Sequence, residues 1–408
     1  MIVEPKIRSN ICINAHPAGC AKDTVRQIEY VKAQKAKRGI KTYKEGGKGP
    51  ATVLVLGCST GYGLASRIAA SFEYGADTIG VSFEKEGTET RGGTPGFYNN
   101  MAFDREAKAA GLKSVTINGD AYSNEVRQQV IAEIKKLGKK IDLLVYSLAS
   151  PVRTDPETKV MYKSVIKPIG KPYSGKCLDI IQEKLTEASA EPATEEEMAN
   201  TVKVMGGEDW KLWIDALTKA DCLSEGICTV AYSYIGPELS HAIYRDGTIG
   251  GAKKHLEKTA RELDAQLKSS LGGRAYVSEN KGLVTRSSAV IPVISLYLAV
   301  LFKVMKEMNL HEGCIEQMER LFAERLYLGP DSQMTDIPVD SENRIRLDDW
   351  ELREDVQSKA VANMNATTDD NLAQYCDLAG YKHDFLAANG FDVEGIDYSK
   401  DVERFDVI

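Results

Sequence analysis

Two tyrosines and a lysine within residues 232–260 have the types and spacing suited to proton transfer. Tyr244 precedes Lys253 in a glycine-rich stretch, and Tyr234 lies a little further upstream. A phenol has an unperturbed pKa of about 10, so a nearby ammonium helps it to act as a proton donor or as an oxyanion partner. The lysine can also hold ribose hydroxyls with its remaining N–H groups. We predict Tyr244 as the acid, with His241 as the rival candidate.

The elements predicted around this stretch would hold the pair together. A strand is predicted over 227–232, and glycines then open a helix over 248–267 whose apolar residues share one face. Lys253 falls in the first turns of that helix and Tyr244 lies just before it. Most of the 18 tyrosines must have purely structural roles. A tyrosine and a lysine joined by a helix start directly after a strand favour catalysis instead.

The second chemical motif is a glycine-rich turn at Gly57, Gly61 and Gly63. The apolar run 53–56 predicts a strand buried on both faces, and residues 64–70 have helical spacing. The first N–H groups of a helix have no internal partner, and glycine lets a diphosphate approach them. The Gly-x3-Gly-x-Gly spacing is the variant of the short-chain dehydrogenases and predicts a dinucleotide site. A glycine turn without a ligand is the alternative.

The following strands and helices alternate, which predicts a Rossmann-type parallel sheet and an α/β fold. Glu84 ends one strand, where an acid accepts hydrogen bonds from ribose hydroxyls and repels a 2′-phosphate. It therefore favours NADH over NADPH, although Lys85 weakens this preference and Glu84 could be a plain surface acid. Asp120 follows the next strand, where a carboxylate can meet the adenine amino group. The strands are predicted at Asp77–Glu84, Ser114–Ala121, Ile141–Ala149 and Arg274–Ser278.

Composition and charge narrow the function classes. The 408 residues carry 52 Lys and Arg against 59 Asp and Glu, so the net charge of −7 offers no basic face for nucleic acid. The eight cysteines include no Cys-x2-Cys pair, so we predict no metal site, and reduced thiols fit a cytoplasmic location. The first residues have no signal-peptide core. The apolar run 289–302 is shorter than the about 20 residues that span a bilayer, so it predicts a buried helix.

We predict three regions in the chain. Residues 1–50 form an N-terminal extension, 51–310 a dinucleotide-binding and catalytic domain, and 311–408 a structural cap without a catalytic constellation. An insertion at about 150–225 would cover the substrate, and its basic residues either meet an anionic substrate or form a solvated surface. Residues 86–100 are predicted to be a surface loop near the active face. A helix over Ile291–Met308 is predicted to be buried and to line an acyl pocket in part. The basic residues of the insertion are Arg153, Lys159, Lys163, Lys167, Lys171 and Lys176.

Several motifs together carry a family resemblance over essentially the whole chain. It resembles the trans-2-enoyl-CoA reductases and the related single-chain enoyl-acyl carrier protein reductases of the FabV type. A Tyr-x8-Lys pair separates this family from ordinary short-chain reductases, which have Tyr-x3-Lys, and from other enoyl reductases, which have Tyr-x6-Lys. The motifs are GCSTGYG at 57–63, FE at 83–84, DA at 120–121, YSLASP at 146–151, MGGEDW at 205–210, YSYIG at 232–236 and Tyr244-x8-Lys253.

The resemblance implies an NADH-dependent reductase of the C2=C3 double bond of trans-2-enoyl thioesters, in fatty acid synthesis or fermentative acyl-CoA reduction. Tyr244 would be the proton donor, Tyr234 a substrate contact near the thioester carbonyl, and Lys253 a catalytic and cofactor-binding residue. Further cofactor contacts are implied at Gly57, Cys58, Ser59, Thr60, Gly61, Tyr62, Phe83, Glu84, Asp120, Ala121, Leu148, Ala149, Leu283, Val284 and Thr285.

Two other functions stay open at this point. One is a ketone or 3-ketoacyl reductase of the short-chain-dehydrogenase type that uses Tyr244 as its acid. The other is an NADH-binding redox sensor without turnover. The carrier of the thioester, CoA or acyl carrier protein, and the acyl chain length also stay open. We favour a monomer, because the insertion and the C-terminal region would cover the fold, and we predict neither a membrane span nor a nucleic-acid partner.

Overall fold

A seven-stranded parallel sheet forms the centre of the computed structural model, which describes residues 1–8, 11–286, 288, 291, 294–327 and 336–408. In chain order the strands of the molecule are β1 (Ile7–Arg8), β2 (Ile11–Cys12), β3 (Thr52–Leu56), β4 (Asp77–Ser82), β5 (Ser114–Asn118), β6 (Ile141–Tyr146), β7 (Val152–Thr154), β8 (Met161–Lys163), β9 (Tyr173–Asp179), β10 (Lys184–Ala190), β11 (Leu223–Ser233), β12 (Arg274–Glu279) and β13 (Arg344–Arg346).

The sheet has the strand order β13-β12-β11-β6-β3-β4-β5, and every pairing in it is parallel. The chain thus moves outward from β3 to β5 and then returns to build the other half from β6. A crevice forms outside the carboxyl ends of the strands where such an order reverses, and ligands of α/β proteins bind there. The predicted Rossmann-type fold is confirmed.

Helices cover both faces of the sheet. They are α1 (Pro17–Arg38), α2 (Gly61–Ile68), α3 (Pro95–Ala109), α4 (Asn124–Leu137), α5 (Glu195–Met205), α6 (Glu208–Lys219), α7 (Thr248–Leu271), α8 (Ile294–Glu307), α9 (Cys314–Leu321), α10 (Glu354–Ala366), α11 (Leu372–Tyr375) and α12 (Leu378–Ala387). A π-helical turn extends α2 over 69–73 and another extends α9 over 322–326.

Strand β3 is buried on both faces, as its continuous apolar run predicts. Val53 and Val55 pack into a core with α1, α2, α3 and α9, whereas Leu54 and Leu56 pack into a second core with α4, α6 and α7. Successive residues of a strand point to opposite faces, so one short run holds both layers together. A third core surrounds α8 and joins it to β9, α10 and α12.

Three expectations from the sequence were wrong or incomplete. Residues 86–100 are not all loop, because α3 begins at Pro95 with Thr94 as its N-cap residue. The region 311–408, expected to be a structural cap, contains β13, the seventh strand of the sheet. The insertion at 150–225 contains two antiparallel hairpins, β7–β8 and β9–β10, ahead of its helices. In the described part of the chain, no helix is both long and apolar enough to cross a bilayer.

Candidate active site

The glycine turn between β3 and α2 has a backbone that only glycine can supply. Gly57 has a φ of +86°, and a Cβ there would lie 2.1 Å from the carbonyl oxygen of Ser147. A Cβ on Gly63 would lie 1.9 Å from the carbonyl oxygen of Gly57. The N-cap residue Thr60 makes no side-chain bond to the helix start. The first N–H groups of α2 are therefore available to a diphosphate.

The residues at the ends of β4 and β5 form the next part of the predicted cofactor surface. Glu84 accepts hydrogen bonds from Ser59 Oγ at 2.6 Å and Thr94 Oγ1 at 2.5 Å, so its carboxylate is held against the glycine turn. Phe83 beside it is 80% exposed, which leaves a flat aromatic face open to a base. The Asp120 carboxylate accepts the Tyr122 N–H at 2.9 Å within the turn that follows β5.

Two loops from the other half of the sheet approach the same turn. A Cβ on Gly57 would come within 3.3 Å of Leu148 Cδ2, and one on Gly61 would come within 3.9 Å of Thr285 Cγ2. The hydroxyl of Tyr62 donates to the Lys281 carbonyl at 2.6 Å, which ties α2 to the segment after β12. The structure thus brings together predicted cofactor residues that are more than 200 positions apart in the sequence.

The other residues predicted to contact the cofactor differ in what they can offer. The Cys58 thiol points into the core against Asn100 Oδ1 at 3.7 Å, so any contact of Cys58 must come from its backbone. Ala121, Leu283 and Val284 are also buried, whereas Ala149 is exposed after the end of β6.

Tyr244 and Lys253 lie near the same buried carboxyl group, that of Glu279 at the end of β12. Burial raises the pKa of Tyr244, and the negative charge of Glu279 raises it further, so the phenol stays protonated at neutral pH. Burial lowers the pKa of Lys253, and the carboxylates of Glu279 and Glu257 oppose that effect. The ammonium donates to the Tyr232 carbonyl at 3.3 Å. The predicted pair is therefore on one side of the molecule and in one electrostatic environment.

Glu279 itself was not predicted from the sequence. Its side chain is fully buried. Burial raises its pKa to about 7, and the positive charge of Lys253 and a hydrogen bond from the Ser233 hydroxyl partly counter that rise. The sequence predicts only a strand over 274–278. The one signal for a functional residue at 279 is an acid directly after an apolar strand.

A cavity of about 240 Å³ opens beside Tyr244. Its wall is mostly apolar and includes Tyr297 and Ile294 from α8. Part of this helix therefore lines a cavity, as the sequence predicts. The predicted helix begins at Ile291, whereas α8 begins at Ile294, and residues 292 and 293 lie outside the described residues. Met364 and Asn365 of α10 also line the cavity, and the region after 311 is thus more than a structural cap.

Tyr234 lies next to Tyr244, with the two rings edge to face at 5.4 Å between centroids. Its hydroxyl donates to Glu351 Oε1 at 3.0 Å. Glu351 lies in the C-terminal region, where the sequence predicted no functional residue. His241, the rival acid, contacts the Gly236 carbonyl of its own loop at 3.2 Å.

Two of the basic residues of the insertion follow neither of the uses predicted for them. Arg153 is buried and pairs with Glu208 at 2.7 Å, and Lys167 pairs with Glu197 at 2.6 Å. These two therefore stabilise the insertion itself. Lys176 is exposed at the wall of the cavity, where its charge is available to an anionic group.

Three family models match the chain. Residues 91–327 match the trans-2-enoyl-CoA reductase catalytic region, and 2–89 match the NAD(P)H binding domain of trans-2-enoyl-CoA reductase. Residues 339–402 match an enoyl reductase FAD binding domain. The first two models together cover the six strands of the sheet from β3 to β12, whereas β13 lies in the range of the third.

The residues of 339–402, all of which the structure describes, do not fit a flavin dinucleotide. Strand β13 is not followed by a glycine turn and a helix start, and the N–H groups of Leu347 and Asp348 donate to the Glu279 carbonyl. The buried acids Asp348 and Glu351 come next, and their charge would repel a diphosphate. We therefore derive no chemistry from a flavin.

Relatives and solved structures match over the full length. The trans-2-enoyl-CoA reductase [NADH] of Treponema denticola is 63% identical over 408 residues, which is 100% of both chains. The enoyl-[acyl-carrier-protein] reductase [NADH] of Coxiella burnetii is 52% identical and covers 99% of this chain and 96% of its own. The crystal structure of the Treponema denticola enzyme in complex with NAD has a TM-score of 0.94 at 62% identity, with 100% of both chains covered. This chain belongs to the trans-2-enoyl-CoA reductase family.

Proposed function

We propose that this protein reduces the C2=C3 double bond of trans-2-enoyl thioesters to the saturated acyl thioester with NADH. The observation that carries the proposal is the position of Tyr244, which lines a mostly apolar cavity while its carbonyl accepts the Gly250 N–H at 3.0 Å, in the first turn of the helix that holds Lys253. The names of the relatives support the same reaction, since they are NADH-dependent enoyl-CoA and enoyl-acyl carrier protein reductases.

The cofactor residues follow from the geometry of the sheet edge. The N–H groups at the start of α2 would hold the diphosphate, and Glu84 would lie near the adenosine ribose, where its charge disfavours a 2′-phosphate. Phe83 offers its exposed ring to adenine. Residues 283–285 would hold the nicotinamide end, because Thr285 lies close to Gly61. Bound NADH supplies the hydride that goes to the β-carbon of the enoyl group.

Tyr244 and Lys253 would then stabilise the negative charge that develops on the substrate and support the proton transfer to it. As the β-carbon is reduced, negative charge grows on the thioester oxygen, and a hydrogen-bond donor aimed at that oxygen stabilises it. Tyr244 suits this task because it lines the cavity and keeps its hydrogen at neutral pH. The Lys253 ammonium favours the phenolate that remains after proton transfer, and a proton delivered to the α-carbon completes the product.

The domain boundaries, the oligomeric state and the cellular location are proposals that rest on the sequence. We propose residues 51–310 as one dinucleotide-binding and catalytic domain, with a cap over 311–408 that shares in the substrate site. The exposed Lys176 beside the cavity favours a carrier with phosphate groups, which both CoA and acyl carrier protein possess. A monomeric state and a cytoplasmic location are likewise proposed from the sequence alone.

Steady-state assays test the proposed function. Crotonyl-CoA and acetoacetyl-CoA are each incubated with enzyme and with NADH or NADPH, and nucleotide oxidation is followed by absorbance. We expect turnover of crotonyl-CoA with NADH and none of the ketone. Turnover of the ketone alone would establish a carbonyl reductase instead, and nucleotide binding without any turnover would establish a sensor. Enoyl-CoA substrates of increasing length then measure how much chain the cavity accepts.

A further inference from the structure

The carboxylate of Glu351 is a meeting point for three parts of the substrate site. Its Oε1 atom accepts the hydroxyl of Tyr234 at 3.0 Å and the hydroxyl of Tyr297 at 2.7 Å. Its Oε2 atom accepts the backbone N–H of Gly282 at 2.6 Å. Glu351 is fully buried, and these donors come from the residue that follows β11, from α8 and from the segment after β12. A buried carboxylate with three donors has a fixed position.

A buried lysine balances this charge. Lys281 is 2% exposed, and its Nζ lies 4.7 Å from the centroid of the Phe302 ring while donating to the Gly282 carbonyl at 3.2 Å. Burial lowers the pKa of Lys281 to about 8, and the charge of Glu351 counters that effect. An internal counter-charge reduces the cost of keeping a carboxylate away from water.

The backbone around Glu351 is anchored independently of Tyr234. Gln357 Nε2 donates to the Glu351 carbonyl at 2.7 Å and to the Tyr297 hydroxyl at 3.0 Å. Tyr297 in turn lines the cavity. Glu351 is thus fixed by α10, α8 and the Gly282 amide even when the contribution of Tyr234 is removed. It can serve as a reference point for the Tyr234 phenol.

The Tyr234 ring packs edge to face on Tyr244, so a displaced Tyr234 would also change the surroundings of the acid. A Cβ on Gly282 would lie 3.0 Å from the Tyr234 hydroxyl, so the absence of a side chain at Gly282 lets this phenol lie close to the loop backbone. We propose that Glu351 is a positioning residue that holds the Tyr234 phenol against Tyr244 and ties it to the Gly282 amide at the head of the 283–285 loop. This inference rests on the proposed function, because it gives Tyr234 a place in the enoyl thioester site.

A double-mutant cycle separates positioning from general stability. The variants are Glu351→Gln, Tyr234→Phe and the double variant, with Glu319→Gln as the matched control. Glu319 is a C-terminal-region carboxylate that is 2% exposed and binds Arg38 at 2.6 Å, away from the cavity. For each variant, kcat and KM are measured with crotonyl-CoA at saturating NADH, together with the thermal unfolding midpoint.

We expect Glu351→Gln and Tyr234→Phe each to lower kcat/KM by about 30-fold, because an amide cannot accept hydrogen bonds from the two phenols and from Gly282 at once. The double variant should lose no more than about three-fold beyond the poorer single variant, since Glu351 acts on the substrate only through Tyr234 in the proposed role. Glu319→Gln should keep kcat/KM within about three-fold of the wild type, even if its unfolding midpoint falls as far as that of Glu351→Gln.

Losses that multiply in the double variant would overturn the positioning role, and so would an equal loss of kcat/KM in Glu319→Gln. If Glu351→Gln does not fold, Glu351→Asp replaces it in the same cycle, because the shortened carboxylate keeps its charge but withdraws from Tyr234. A wild type that does not reduce crotonyl-CoA overturns the proposed function and this inference together. A wild type that turns over while the losses multiply overturns the inference alone.

Discussion

The cofactor half and the substrate half of the site are built in opposite ways. The cofactor half, defined here as the glycine turn 57–63 with Glu84 and Asp120, comes from one continuous stretch of βα units. The substrate half, defined as the cavity with Tyr234, Tyr244 and Lys253, draws its partners from as far along the chain as Glu351 and Met364. One half depends on local backbone shape, and the other on buried charges that meet only after folding.

This difference has a consequence for substitutions. A change in the cofactor half should alter which nucleotide binds, because the groups there face the ligand directly. A change in the substrate half should alter rate and stability together, because its acid and amine share a buried electrostatic environment with Glu279. The following predictions test that contrast, from the largest expected effect to the smallest.

Replacement of Tyr244 by Phe should remove the proton donor while leaving the nucleotide surface intact. We expect kcat to fall by about 10³-fold, within the range for loss of a general acid, with the NADH dissociation constant changed by less than about two-fold. Tyr173→Phe is the matched control, because it removes another phenol from the cavity wall. Steady-state rates and nucleotide fluorescence titrations measure both quantities. A wild-type rate in Tyr244→Phe would show that another group delivers the proton.

Glu279→Gln should change how the stability of the protein depends on pH. The folded-state pKa of Glu279 is raised from 4.5 to about 7, so the folded protein holds a proton that the unfolded chain releases between these values. The stabilising effect of this proton is complete below pH 4.5 and is lost as the pH rises through 7. The wild type should therefore lose roughly 3 kcal/mol of unfolding free energy relative to the variant over this range.

Urea unfolding of both proteins at several pH values measures this difference. The charged and titratable groups that interact electrostatically with Glu279 are unchanged in the comparison; they are Lys253, Asp348, Glu257, Arg344 and Tyr244. A difference that stays constant from pH 4 to pH 8 would contradict the assignment of the titration to Glu279.

Lys253→Met should affect both halves, since the ammonium serves the phenol and the nucleotide ribose in the proposed mechanism. We expect kcat to fall by about 10²-fold and the KM for NADH to rise by about ten-fold. Lys254→Met, which changes the exposed neighbouring lysine, should resemble the wild type in both constants. An unchanged KM for NADH in Lys253→Met would restrict the role of the lysine to the acid.

Glu84→Gln should produce the smallest effect and change the choice of nucleotide. Its carboxylate lies 3.8 Å from Arg286 Nη1, so its removal frees a cation for a 2′-phosphate. We expect the ratio of kcat/KM with NADPH to that with NADH to rise by about ten-fold, with the NADH rate little changed. Glu86→Gln is the control, because it removes an exposed carboxylate from the same loop. An unchanged ratio would mean that Glu84 serves only to accept the hydrogen bonds of Ser59 and Thr94.

Some errors of the sequence interpretation have local causes. The start of α3 was missed although Thr94 and Pro95 form a recognisable N-cap and first-turn pair, because the many turn-forming residues around them favoured a loop. Strand β13 was missed because three residues flanked by acids have no detectable alternation. A strand this short owes its conformation to pairing with β12.

Six strands of the sheet, the glycine turn and the acid after β4 can be predicted from local sequence, because buried strands and tight turns impose residue types at neighbouring positions. The Tyr244 and Lys253 pair can be predicted in the same way, since it flanks one helix start. Folding brings both residues into electrostatic interaction with Glu279 and brings Glu351 to Tyr234, which is 117 positions away. The energy of a buried carboxyl group depends on the donors and charges around it in space, and no local pattern in the sequence records them.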